Sequence, residues 1–276
     1  MNTTSLFELQ PSFDPNSFPD LRLFDRAFMT QQALAQNLLH NHPFTPALRK
    51  GTVRFLQNDR IDPDEILRDS FQCNSSSILS ENVILSCEDT SLIRYRNDDA
   101  GPLMSGDDKG YVFHYSAAVT PGTGIPFAWL GARIINRADV SFRAQNHKMR
   151  PLEERESIKW TQVRNEVHET LANMGFTGKV ISINDREGDA WSSLTDIVEN
   201  SRKAIVRSCQ DRKITNSDLK LRDFLHKTAP AAEMSIWVSS KDNQGKTFQR
   251  KVVLEIRWAK VKLMPPARDI FAKKKN

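Results

Sequence analysis

The spacing of apolar and polar positions divides the chain into stretches of different texture. Residues 1–20 hold Pro11, Pro15 and Pro19 with few periodic apolar positions and read as an irregular lead-in. Residues 21–80 read as short helices, with Phe24, Phe28, Ala35, Leu38 and Leu39 near one helical face. Pro46 can open a second helix carrying Leu48, Phe55 and Leu56, and Pro63 a third with Ile66, Leu67 and Phe71. Proline suits a first turn because the N–H it lacks has no partner there. Ser75-Ser76-Ser77 then predicts a linker.

From residue 81 the period shortens. Val83-Ile84-Leu85-Ser86-Cys87 has strand length and runs into Glu88-Asp89, and residues 101–110 read as a polar turn region. Tyr111–Val119 and Ala128–Ile135 predict two more strands around the turn Pro121-Gly122-Thr123-Gly124. Residues 153–174 predict an amphipathic helix: Trp160, Val163, Val167, Leu171 and Met174 are spaced by 3, 4, 4 and 3, with Pro151 before and Gly175 after. Val180–Ile183 is a strand ending at Asn184-Asp185, residues 190–200 a helix, and Ala204–Val206 a fifth strand. An antiparallel meander of three strands followed by two strands that return through helices is a mixed α/β sheet. Past residue 211, Met234–Ser239 and Lys251–Trp258 read as β again, with a turn at Asp242-Asn243-Gln244-Gly245.

Composition narrows the class. A chain of 276 residues can bury one good core and a smaller satellite. No apolar run reaches bilayer-spanning length, and the first residues lack the basic and apolar regions of a signal peptide. Cys73, Cys87 and Cys209 are odd in number and form no Cys-x-x-Cys pair, so the expected setting is reducing and cytoplasmic, without disulfides or zinc. The net charge of +5 is uneven: residues 211–276 hold 16 Lys/Arg against 7 Asp/Glu, leaving 23 against 27 before them. A basic tail suits a polyanion, or is a solvated surface. P-loop, dinucleotide and nucleophile-elbow signatures are absent, and the scattered histidines read as ordinary core or surface residues. Trp129, Trp160 and Trp191 read as packing residues.

Two carboxylates carry the candidate chemistry. Asp89 and Asp185 are 96 positions apart, each at the predicted C-terminal end of a strand. On neighbouring parallel strands they would project at one sheet edge, where ligand sites of open α/β sheets gather. Such a pair suits Mg²⁺ or Mn²⁺, which prefer oxygen ligands, in a two-metal phosphodiester site. The plainer alternative is two aspartates capping turns, with Asp185 capping the helix that follows.

Val180-Ile-Ser-Ile-Asn-Asp185-Arg-Glu-Gly-Asp189 resembles the second-aspartate motif of the DDE transposases, in the Tn-five-like branch of the IS-four family, and Gly188 in place of the usual alanine is a minor departure. Cys87–Leu92 followed by Tyr95 resembles the first-aspartate motif, and Gly110–Ser116 the strand after it. Arg155-Glu156-Ser157-Ile158-Lys159-Trp160 resembles the family's Lys-Glu-Ser-x-Lys-Trp helix start, and Val53–Asn58 its Tyr-Arg-Phe-x-x-Asn segment. The resemblance runs from about residue 19 to about residue 265.

It implies a helical domain over residues 1–80 that grips transposon-end double-stranded DNA, an RNase H-like core over 81–209 that lacks its last helix and a partial β-rich insertion from 210 to 276. It implies catalytic, metal-binding roles for Asp89 and Asp185 with two Mg²⁺ or Mn²⁺, and DNA-binding roles for Arg22, Arg26, Arg54 and Arg207. The expected protein is nucleoid-associated, and relatives act as dimers on DNA. The family's third carboxylate lies in a Tyr-x-x-Arg-x-x-x-Glu-x-x-x-x-x-x-Lys signature that does not occur here, and Glu255, on a predicted strand, is a poor substitute. The expectation is therefore a truncated transposase, weakly active or inactive, lacking its dimerisation region. The alternative is a non-catalytic end-binding or inhibitory protein.

Overall fold

The computed structural model describes residues 14–40, 45–72, 75–94, 103–105, 108–135 and 155–266. Residues 1–13 of the lead-in, Cys73, Tyr95, Pro151, His42, His147 and the final basic run lie outside the described residues, and α1 is described by its backbone alone from residue 33.

Three helices come first: α1 (Leu21–His40), α2 (Pro46–Leu56) and α3 (Pro63–Gln72). Asp20 accepts the Leu23 N–H at 2.9 Å and Thr45 accepts the Leu48 N–H at 3.2 Å, so both α1 and α2 begin on side-chain caps. Phe18, Ala27 and Phe55 form a small core of their own with Leu23, Phe24, Ile61 and Ile66 around it. The serine run does not make a linker: α4 (Ser75–Leu79) is helical because Ile78 is wholly buried in the main core and anchors the turn.

The main sheet comprises β1 (Val83–Arg94), β2 (Leu103–Ser105), β3 (Asp108–Val119), β4 (Pro126–Ile135), β5 (Lys179–Asn184) and β6 (Lys203–Val206). Its long strands run in the order β4-β3-β1-β5-β6, with short β2 paired to the start of β3. The β1–β3 and β3–β4 pairs are antiparallel, and the β1–β5 and β5–β6 pairs are parallel. This is the mixed α/β sheet expected from the sequence. Helices α5 (Ile158–Asn173) and α6 (Trp191–Glu199) make the crossovers.

α5 begins at its N-cap Ser157, later than expected, and Gly175 ends it with φ 79°, a left-handed conformation that glycine adopts without steric cost. Its stripe of Val163, Val167 and Leu171 meets Ile84, Ala118 and Leu130 of the sheet and Ile78 of α4 in the main core.

β1 differs most from expectation. It does not stop at Asp89 but continues to Arg94, because Thr90–Ile93 stay paired with β3 after β5 has ended. Asp89 is therefore mid-strand. The polar turn region contains β2 and the start of β3. After β6 come α7 (Leu221–Lys227), which the sequence pattern did not announce, and the hairpin β7 (Ala232–Lys241) and β8 (Thr247–Ile256). That hairpin leaves Trp237 and Val253 largely exposed. No helix among the described residues is long and apolar enough to cross a membrane.

Candidate functional site

Strand alternation assigns side chains to the two faces of the sheet. In β1, Ile84, Ser86 and Glu88 are buried under the helices, while Asp89 is exposed on the opposite face. In β5, Ser182 and Asn184 are buried on the helical side, so Asp185, one residue on, falls on the open side with Asp89.

The last paired row of β1 and β5 is Glu88↔Asn184, and the last row of β5 and β6 is Asn184↔Val206. Asp89, Asp185 and Arg207 each come one residue after that row, on or at the end of three neighbouring strands. The Arg207 N–H donates to the Asn184 carbonyl at 3.0 Å and closes the Asn184↔Val206 row. All three are exposed. Asp89 and Asp185, far apart in sequence, are thus brought together, though Asp89 reaches the row from mid-strand.

Asp185 also caps: its Oδ1 accepts the Glu187 N–H at 2.8 Å and sets a short 3₁₀ turn over Arg186–Gly188. The capping alternative holds only in part: Asp185 caps this 3₁₀ turn, while the following helix α6 starts from Ala190 without a side-chain cap and Asp89 caps nothing from its place mid-strand. Oδ2 has no such role, and with the Asp89 carboxylate it gives the hard oxygen donors that Mg²⁺ or Mn²⁺ requires. The two residues fit a divalent ion as an incomplete set. Among the described residues, no group of three or more His, Cys, Asp or Glu side chains is placed to hold a metal.

The other acids of this segment do different work. Asp189 is buried; its Oδ2 accepts the N–H groups of Cys209 at 2.7 Å and Gln210 at 2.8 Å, and its Oδ1 pairs with Arg212 at 2.5 Å. Burial opposes its charge, but the Gln210 N–H, Arg212 and the Cys209 N–H outweigh it and hold the carboxyl below its ordinary range. Asp189 ties the chain after β6 to the end of β5. Glu187 lies 3.4 Å from Lys159, which also pairs with Glu156 at 3.1 Å. Glu255 sits on the exposed β7–β8 hairpin paired to Arg257, away from the sheet.

Beside Asp89 the open face is aromatic. A cavity of about 960 Å³ is lined by Phe113, Tyr115 and Trp129 from the sheet and by Leu67 and Phe71 from α3. Trp129 stacks edge-on to Tyr115 at 5.2 Å between ring centroids yet is 47% exposed, so it is not the plain packing residue expected. Trp160 is, at 1% exposed. His114 is a core residue: its Nδ1 lies 2.9 Å from Thr90 Oγ1 and its ring meets Trp160 edge-on.

Three of the four arginines expected to bind DNA converge, and Arg207 lies apart from them after β6. Arg22, Arg26 and Arg54 line one cavity of about 550 Å³ with Lys50 and Arg60. Gly51 makes room for this: a Cβ there would stand 2.5 Å from Arg26 Nη1, so the guanidinium lies directly against α2. Among the described residues, Arg60 of this group pairs with a carboxylate, Asp20 at 3.0 Å.

A group that sequence reasoning missed lies beneath Asp89 and Asp185. Arg164 is wholly buried and donates to Asp196 at 3.0 Å, to Ser193 Oγ at 2.9 Å and to Asn184 Oδ1 at 3.4 Å, and lies 3.7 Å from Glu88. Asn184 Nδ2 donates to Glu88 Oε2 at 2.9 Å. Burial pushes the Glu88 carboxyl above its ordinary range, against the pull of Arg164. The missed signal was a charged residue inside an apolar stripe: Arg164 interrupts Trp160, Val163, Val167 and Leu171. No family model matches this chain.

Proposed function

We propose that the chain is a DNA-binding protein of the DDE transposase kind, in which Asp89 and Asp185 hold divalent cations for phosphodiester cleavage and strand transfer. One observation carries the reading: the register of β1, β5 and β6 ends in the row Glu88, Asn184, Val206, and Asp89, Asp185 and Arg207, all exposed, each follow that row by one residue. The meander followed by two helical crossovers is compatible with the RNase H-like core that the sequence resemblance implies.

When bound, Mg²⁺ or Mn²⁺ supplies the positive charge that activates a phosphodiester toward water or a 3′ hydroxyl. The residues do the rest. Asp185 is held by the Glu187 N–H with one oxygen free, and Asp89 stands on a strand paired with β3 on its other side. Arg207 offers a cation to a backbone phosphate at the end of the row. The cluster of Arg22, Arg26, Lys50 and Arg54 supplies a phosphate grip on the helical domain.

The test is incubation of duplex DNA with the purified chain and Mg²⁺ or Mn²⁺. Slow nicking that needs the metal and is lost in Asp89→Asn and in Asp185→Asn is expected, while nicking that survives either substitution contradicts the reading. A second reading, a non-catalytic end-binding protein, is favoured by the convergence of arginines beside an incomplete acidic set. It is distinguished by salt-sensitive DNA binding without nicking, the binding weakened in Arg26→Ala.

A further inference from the structure

The residues immediately before the two aspartates are bonded to each other. Glu88 and Asn184 are register partners, each 3% exposed, and their side chains share a 2.9 Å hydrogen bond on the helical face of the sheet. Asp89 and Asp185 follow them onto the opposite face. This row is the last in which β1 and β5 are paired, so beyond it no backbone ladder joins the two strands.

The bond has its own support. Arg164 reaches Asn184 Oδ1 at 3.4 Å and Glu88 Oε2 at 3.7 Å. Arg164 is itself fixed by Asp196, whose same oxygen Oδ2 also pairs with Arg202 at 3.2 Å, and Arg202 also donates to Asn165 at 2.6 Å. The 3₁₀ turn presses on Asn184 from above: Gly188 is so close that a Cβ there would meet the Asn184 Cβ at 2.6 Å. Four elements, β1, β5, α5 and α6, therefore converge on one hydrogen bond.

Apolar residues would fill this space without the desolvation cost of a buried carboxylate, and such replacements are often neutral or stabilising. What an apolar pair cannot do is fix a distance between two strand ends. We infer that Glu88 and Asn184, held by Arg164, are positioning residues that set the separation of Asp89 and Asp185 and thereby the affinity for a divalent cation. The inference rests on the metal-binding reading of those aspartates.

The experiment is Mn²⁺ titration of the full chain followed by electron paramagnetic resonance, with melting temperature measured in parallel. Glu88→Leu and Asn184→Leu are expected to bind Mn²⁺ roughly 10–100-fold more weakly at temperatures where they remain folded, the usual cost of losing an outer-shell partner. Glu88→Gln keeps an acceptor oxygen at the same reach and is expected to restore most of that loss. If the leucine variants do not fold, Asn184→Ser, too short to reach Glu88, takes their place with the same expectation. Lowered melting temperatures with Mn²⁺ affinity unchanged would show a merely structural network and overturn the inference. Parent binding that persists in Asp185→Asn, or no parent binding at all, overturns the metal reading itself, whatever the Glu88 variants do.

Discussion

Gly188 is packed too tightly for a methyl group. An added Cβ meets Asn184 Cβ at 2.6 Å and Trp160 Cε3 at 3.3 Å, and neither atom is the loose end of a flexible chain. The glycine in place of alanine, a minor departure by sequence, is thus a packing requirement of this fold. Gly188→Ala is expected to cost about 1–3 kcal/mol in urea unfolding, as overpacking does; an unchanged midpoint would mean the turn shifts freely. His114 makes a second residue-scale prediction. Burial, with Lys159 and Arg164 nearby, lowers its pKa from 6.5 to about 3. The unfolded chain therefore takes up the proton first as pH falls. The contribution is fully present above about pH 6.5 and is lost toward pH 3 at about 1.4 kcal/mol per pH unit. Urea unfolding of parent and His114→Gln at pH 7, 5 and 4 should show the parent losing more stability; parallel losses would contradict it.

At the scale of elements, what repeats was legible and what is exceptional was not. The 3,4,4,3 stripe of α5 and the short apolar runs of β5 and β6 located the crossovers to within a few residues. β1 was cut short because Glu88-Asp89 reads as a strand end, whereas pairing to β3 carries the strand on to Arg94. α4 was missed because a serine run has turn chemistry, and only tertiary burial of Ile78 reveals the helix. Asp89 and Asp185 were singled out by motif and strand position. The buried partners beneath them were not, since periodicity arguments count apolar residues and pass over a lone arginine among them. That arginine joins α5 to β5 and α6. Arg164→Met is expected to destabilise by about 3–5 kcal/mol, because it leaves the buried Glu88 carboxyl without its guanidinium partner and Asp196 with Arg202 alone. A loss below about 1 kcal/mol in urea unfolding, the scale of an exposed pair, would show that the network is not what holds these elements.

At the scale of the molecule two charged surfaces stand out. The helical domain gathers Arg22, Arg26, Lys50 and Arg54 in one concavity, and the sheet exposes Asp89 and Asp185 at the row where its parallel ladder ends. On the proposed reading the basic cluster would grip a DNA backbone and the two aspartates would hold the cation, and the aromatic cavity under α3 borders Asp89. The claim joining these parts is that the two aspartates form one metal site rather than two unrelated strand-end residues. Mn²⁺ titrations of the parent, Asp89→Asn, Asp185→Asn and the double variant test it directly. One shared site predicts that each single substitution abolishes most binding and that the double variant loses little more. Single variants that retain parent affinity, or losses that simply add, would contradict it.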